Sequence, residues 1–425
     1  MSLFYIILYF IVWSFVSFIS LKKMRKLNSY TTIVLSYAVY AFISIFCYDL
    51  LIDRFSDITL FPFIYLFLML IIALQPVRQY EETFINRCKG INISIVYAVF
   101  FVFIIASVVV LPSALSNLSE GITVMFASDD GASELYKEMH ENGELGANAK
   151  GGIIGLCKIV RYLLFEITVF LFFYYLSLRK KKNIVLISFL IFCFLIDVII
   201  SLADGNRTGS TMSMFTILIT YLIFYRFINA DLNARIKRIG IVFIGIFLFF
   251  TMAVTIGRST MRDGGAVEGM TEYLGQANLY FNEYALKQDG LRNGDRTCNY
   301  FKNILGFDNV PKSIMQIRDK YPNLELNDHN FSTFVGDFVI DFGPVTTFFI
   351  FCLFSFIFCR ITKTRQHVIR LDQLLLIQLA ADICMHGGMY LFYYSFSGNY
   401  IIIMYVLFAF LFRLFSRKTY LYLST

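Results

Sequence analysis

Residues 91–111 read INISIVYAVFFVFIIASVVVL, twenty-one positions without one acidic, basic or histidine side chain. At 1.5 Å per residue a helix of this length covers about 31 Å, the hydrocarbon thickness of a bilayer. Ten further runs of similar character surround it, at 3–21, 31–52, 58–77, 153–177, 183–203, 210–228, 239–257, 335–359, 371–395 and 399–416. The expected fold is therefore an all-α polytopic membrane protein of about eleven transmembrane helices. Composition agrees: 58% of the 425 residues are hydrophobic and 16% charged, where soluble domains carry about 25% charge. Residues 1–21 lack a basic leader and a small-residue cleavage site, so they read as a retained span.

The net charge of +7 would suit a nucleic-acid binder, but the cations lie in short clusters between apolar runs. Alternate loops hold 22 of them, including Arg87, Lys89, Arg179, Arg413 and Arg417, against four in the opposite short loops. Lys and Arg concentrate on the cytoplasmic side. The expected topology has the N-terminus outside and the C-terminus inside, and no nucleic acid is expected as a partner. The eight cysteines show no metal or disulfide spacing.

Two outer connections are long, 112–152 and 258–334, and long loops on a rigid scaffold concentrate function. The chain thus divides into helices over 1–257, an outer cap over 258–334 and helices over 335–425. Within the cap, 271–289 has the pattern of an amphipathic helix, 290–295 that of a turn, and Pro311 suits the start of a helix running to Lys320.

Signatures of soluble catalysis are missing, including the phosphate loop, the nucleophile elbow, the zinc helix and the Asp-x-Asp of nucleotide-sugar enzymes. Substrate is therefore expected from the membrane or its outer side, with no metal and no cofactor. Charges in or near the spans carry more information, since each is costly unless paired or hydrated. Lys158 and Arg161 lie three apart in the fifth run and suit a lipid diphosphate; alternatively Lys158 snorkels and Arg161 pairs with Asp197. Arg207 sits in the turn Asp204–Ser210, where glycines let backbone amides approach an anion. Arg258 and Arg262 follow on the same side.

Residues 328–343, DHNFSTFVGDFVIDFG, place His329 just before Asp337 and Asp341, which lie i, i+4 on one helix face. Ser332 suits the N-cap. A histidine near its ordinary pKa can accept a hydroxyl proton; a carboxylate could serve instead, or both aspartates could pair with arginines. Gln378, Asp382 and His386 form a polar stripe that either lines a cavity or joins helices. Tyr280 and Tyr284 could stack on sugars or anchor at the interface.

These features together resemble the bacterial Wzy-type O-antigen polymerases and related oligosaccharide repeat-unit polymerases. The resemblance rests on the span number, the turn Gly205–Ser210, the late outer loop and the stretch Asn330–Gly343; His329-Asn330 also looks like the His–Asn of O-antigen ligases. It implies a GT-C-like, metal-independent inverting glycosyltransferase in the bacterial inner membrane, with its active site facing the periplasm. Donor and acceptor would be undecaprenyl-diphosphate-linked glycans, with a chain-length regulator as a candidate partner. Arg207, Arg258, Arg262, Arg161 and Lys158 would hold the diphosphate. His329, Asp337 or Asp341 would supply the base, and Asp382, His386, Tyr280 and Tyr284 would line the substrate cavity. An O-antigen ligase or a flippase of lipid-linked oligosaccharides is the alternative.

Overall fold

The computed structural model describes residues 1–127, 152–179, 181–203, 207–241, 245, 265–287, 290–322 and 330–422. A helix occupies every expected span within them, while most of 239–257 lies outside them. The long helices are α1 (Ser2–Met24), α2 (Ser29–Leu50), α3 (Leu60–Ala73), α4 (Gln75–Glu82), α5 (Ile93–Ala127), α6 (Ile153–Ser177), α7 (Ile184–Ala203) and α8 (Arg207–Phe224). After them come α9 (Gly265–Tyr280), the short α10 (Asn299–Ile304) and α11 (Ile314–Lys320), then α12 (Thr333–Ile361), α13 (Leu371–Gly387) and α14 (Ser395–Leu414). Among the described residues, six helices are long and apolar enough to cross a membrane, or seven if α3 and α4, bent by 47°, make one span. Large rings point outward from several of them: Phe15, Phe18, Phe101, Phe349 and Phe356 are 63–66% exposed. Water would not tolerate that much bare aromatic surface, but lipid does.

Local chemistry sets the boundaries. Asn28 and Thr31 form a reciprocal capping box at the start of α2, with bonds of 2.9 and 2.8 Å. The loop expected from Pro112 does not begin there, because α5 continues through Pro112 to Ala127. In the cap, α9 widens into a π-turn over Phe281–Ala285 rather than continuing as an α-helix. Helix α11 starts at Ile314, three residues after Pro311, because the Ser313 hydroxyl accepts the Gln316 amide at 3.3 Å. Ser332 is the N-cap position of α12 without a side-chain capping bond; the Gly336 amide donates to the Thr333 hydroxyl instead. Helix α12 breaks at Gly343, whose φ of 76° is left-handed, just before Pro344.

The chain forms two compact units. Unit 1 contains 1–85 and 270–410, so its first four helices pack with elements from the last third of the sequence. Unit 2 contains 86–269 and 411–425. Its helices α5, α6, α7 and α8 carry at one end an antiparallel ribbon of β1 (Arg87–Ile91) and the C-terminal strand (Ser416–Tyr422). The ribbon is seated on α6: the Ile91 amide donates to the Tyr174 hydroxyl at 3.2 Å. A Cβ on Gly90 would lie 2.2 Å from that hydroxyl oxygen, so only glycine allows the approach.

Candidate functional site

In unit 1, the chain after Met270 and the bond from the Thr333 amide to the Met389 carbonyl bring the end of α2, the start of α3, the start of α12 and the segment after α13 together. Ser44 donates to the Gly275 carbonyl at 2.7 Å, and a Cβ on Gly275 would meet Cys47 at 2.6 Å. Asn282 clasps the backbone of Thr59 in both directions, at 2.9 and 2.8 Å. The Asp57 amide donates to Glu283 at 3.0 Å, and the Tyr284 hydroxyl donates to the Arg54 carbonyl at 2.8 Å. These bonds fix the cap to the helix ends.

The next segment turns back through Asn293 (φ 52°) and Gly294 (φ 81°), both left-handed. The turn sends Arg292 and Arg296 toward the first three turns of α12. Arg292 Nε lies 2.9 Å from Asp341 Oδ1, and Arg296 Nε lies 2.8 Å from Asp337 Oδ1. All four side chains are buried, at 6% exposure or less. The second oxygen of each carboxylate is also satisfied. Asp341 Oδ2 accepts from the amide and hydroxyl of Thr297 at 2.8 and 2.7 Å, and Asp337 Oδ2 accepts from the Leu391 amide at 2.8 Å. Asn399 adds a bond to the Thr297 carbonyl at 3.0 Å. Two carboxylates one helical turn apart would repel each other; two guanidinium groups at the same spacing cancel that repulsion.

Asp295 faces the other way, toward α11. It is wholly buried and accepts from Lys302, from Lys320 at 2.6 Å and from the Tyr321 hydroxyl at 2.7 Å. Burial alone would raise its pKa, but these three donors outweigh it and hold the carboxyl below the ordinary range. A depressed pKa stabilises the fold fully above the unfolded value, near 4, and that stability is lost as pH falls through the folded value. Asp295→Asn is therefore expected to cost about 1–3 kcal/mol at neutral pH. The gap between variant and wild type, followed by denaturant unfolding in detergent, should narrow as pH falls below the unfolded value, near 4. A gap that stays constant with pH would rule out the ionised carboxylate as its source.

Aromatic rings lead from the cap to these ion pairs. Tyr273 meets Phe331 at 5.2 Å, Phe331 stacks on Tyr390 at 5.0 Å, and Tyr390 meets Tyr394 at 5.9 Å. The Arg296 guanidinium lies 4.7 Å from the centre of the Tyr394 ring. Apolar faces beside fixed cations are what a ligand with sugar rings and phosphate requires.

Of the residues marked in the sequence, Asp337 and Asp341 lie together here, paired with arginines. His329, Arg258, Arg262 and the Arg207 side chain lie outside the described residues. Asp382 accepts from Gln378 at 3.3 Å and from the Tyr405 hydroxyl at 3.0 Å, joining α13 to α14. His386 is fully buried against Phe392. Tyr280 is also buried, its ring 5.0 Å from Phe55 and 5.8 Å from Tyr284. In unit 2, Arg161 pairs with Asp197 at 2.7 Å and donates to Ser107 and to the Cys193 carbonyl, each at 3.1 Å. Lys158 is half-buried on the same helix. Arg292, Arg296 and Thr297 are additions from the structure; their sequence signal is an Arg-x-x-x-Arg matching an Asp-x-x-x-Asp. Among the described residues, no three His, Cys, Asp or Glu side chains gather as metal ligands would. No protein-family model, curated protein or solved structure matches the chain.

Proposed function

We propose that the chain is a polymerase of lipid-linked oligosaccharides, transferring a glycan from a polyprenyl diphosphate to the sugar hydroxyl of a second lipid-linked unit. In this proposal it crosses the bacterial inner membrane about eleven times, is GT-C-like, and works on the periplasmic side. The observation that carries it is the buried Arg296, held by Asp337 and Tyr394 at the end of an aromatic row, beneath a cap fixed to the ends of apolar helices. Bond-making is an inverting displacement. The acceptor oxygen bonds to the anomeric carbon while the bond to the diphosphate oxygen breaks, and the diphosphate leaves with the electron pair. A departing diphosphate needs charge stabilisation more than protonation, and a preorganised guanidinium supplies it without reorganisation. The hydroxyl proton passes to a base, with His329 the first candidate and the aspartates orienting the arginines.

The direct test supplies purified protein with lipid-linked repeat units and no nucleotide. A ladder of longer lipid-linked glycans is expected on a gel. Movement of the lipid across a vesicle wall without elongation would replace this proposal with a flippase.

A further inference from the structure

The ribbon of unit 2 has two unlike faces, because side chains alternate along a strand. Cys88 and Leu421, which are cross-strand partners, point inward and are buried. Arg87 and Lys89 point outward, opposite Tyr422 and Tyr420. The Arg87 guanidinium lies 5.5 Å from the centre of the Tyr420 ring, and Arg179, arriving from the end of α6, lies 5.1 Å from that of Tyr422. Nearby helix ends repeat the arrangement, with Lys182 over Tyr175 at 5.2 Å and Lys237 over Tyr225 at 5.1 Å.

We infer that this basic, tyrosine-backed end of unit 2 is a binding surface for the head groups of anionic phospholipids. Three observations converge on it. Arg87, Lys89, Arg179, Arg413 and Arg417 have no acidic partner among the described residues, so this end carries uncompensated positive charge. A guanidinium within cation–π range of a ring still offers its N–H fork, which matches two phosphate oxygens. Finally, bare apolar surface begins within a few residues of the cations: Leu414 and Phe415 are 61% and 52% exposed just before the C-terminal strand, as are Ile184 and Val185, at 69% and 61%, at the start of α7. A ligand that fits must carry acyl chains beside its phosphate, which selects a lipid over a soluble polyanion. Tyrosine and basic side chains belong at this depth of a bilayer. The inference does not depend on the reaction the protein performs.

The test uses the full chain, stripped of lipid in detergent and offered vesicles of phosphatidylglycerol and phosphatidylcholine in equal amounts. Retained phospholipid is then counted by mass spectrometry. Wild type should keep phosphatidylglycerol in clear excess. Each arginine removed should reduce that excess about fivefold, the equivalent of about 1 kcal/mol per basic residue. Arg87→Gln with Arg179→Gln together should therefore reduce it about 25-fold. Lys23→Gln serves as the control, because Lys23 is an exposed cation of unit 1 already paired with Glu82 at 2.7 Å; it should change nothing. If the double variant does not fold, the exposed Arg417→Gln carries the same test with a single-site loss. Equal retention of the two lipids by wild type, an undiminished excess in a folded variant, or an equal loss with Lys23→Gln would each overturn the inference.

Discussion

Replacing Arg292 by methionine should destabilise unit 1 by about 3–5 kcal/mol, the usual cost of stranding one charge of a buried pair. Asp341 is wholly buried and would keep only the two donors of Thr297. The effect should be non-additive. Asp341→Leu alone should cost a similar amount, since it strands the Arg292 guanidinium. The double variant should recover part of the loss, because neither charge then remains to be neutralised. Recovery should stay incomplete, as the Thr297 amide and hydroxyl lose their acceptor. Denaturant unfolding of the four proteins in one detergent gives the coupling energy directly. Additive single effects would mean that the pair does not act as a unit.

The second large effect concerns activity. Under the proposed polymerase reaction, Arg296→Gln should lower the rate of ladder formation by about 10²–10³-fold, as loss of one preorganised donor to a developing anion does. This substitution also strands Asp337, so lost folding could imitate lost catalysis. Arg296→Gln combined with Asp337→Asn separates the two. It removes both charges, and Asn can still accept from the Leu391 amide. Normal unfolding with absent ladders in the double variant would assign the Arg296–Asp337 pair to the reaction; ladders at the wild-type rate would remove both. Arg296→Lys refines the result, because lysine restores charge but neither the planar fork nor the stack on Tyr394. It should recover only a small part of the activity.

The helices were legible because bilayer thickness demands long apolar runs, and such runs are visible without knowing their partners. The spacing of Asp337 and Asp341 was equally local, and the structure keeps them on one helix face. Their partners were not legible. Arg292 and Arg296 reach them only because the cap turns back at Asn293 and Gly294, and a fold-back across some 45 residues leaves no periodic trace. Arg161 posed a different problem, since an anion site and a pair with Asp197 predict the same residues at the same depth. Only the 2.7 Å contact shows that pairing occurs. The ribbon is not legible because Arg87–Ile91 and Ser416–Tyr422 lie far apart in the chain and each follows or precedes a dominant apolar run. Its cations were counted as topology signals, while their seats on tyrosine rings were not visible.

The split of unit 1 across the sequence also governs how the protein is made. Its first 85 residues emerge early, but their neighbours begin at Met270, after the 184 intervening residues of unit 2 have been synthesised. At about 5–20 residues per second this is a delay of roughly 10–40 s. Through that interval α1–α4 must wait in the bilayer with Ser44 and Thr59 deprived of Gly275 and Asn282, while Glu81 already has Ser29 as a donor. An insertion chaperone that shields polar helix faces would act at this stage, and a ribosome stalled before Met270 would leave unit 1 as an open half.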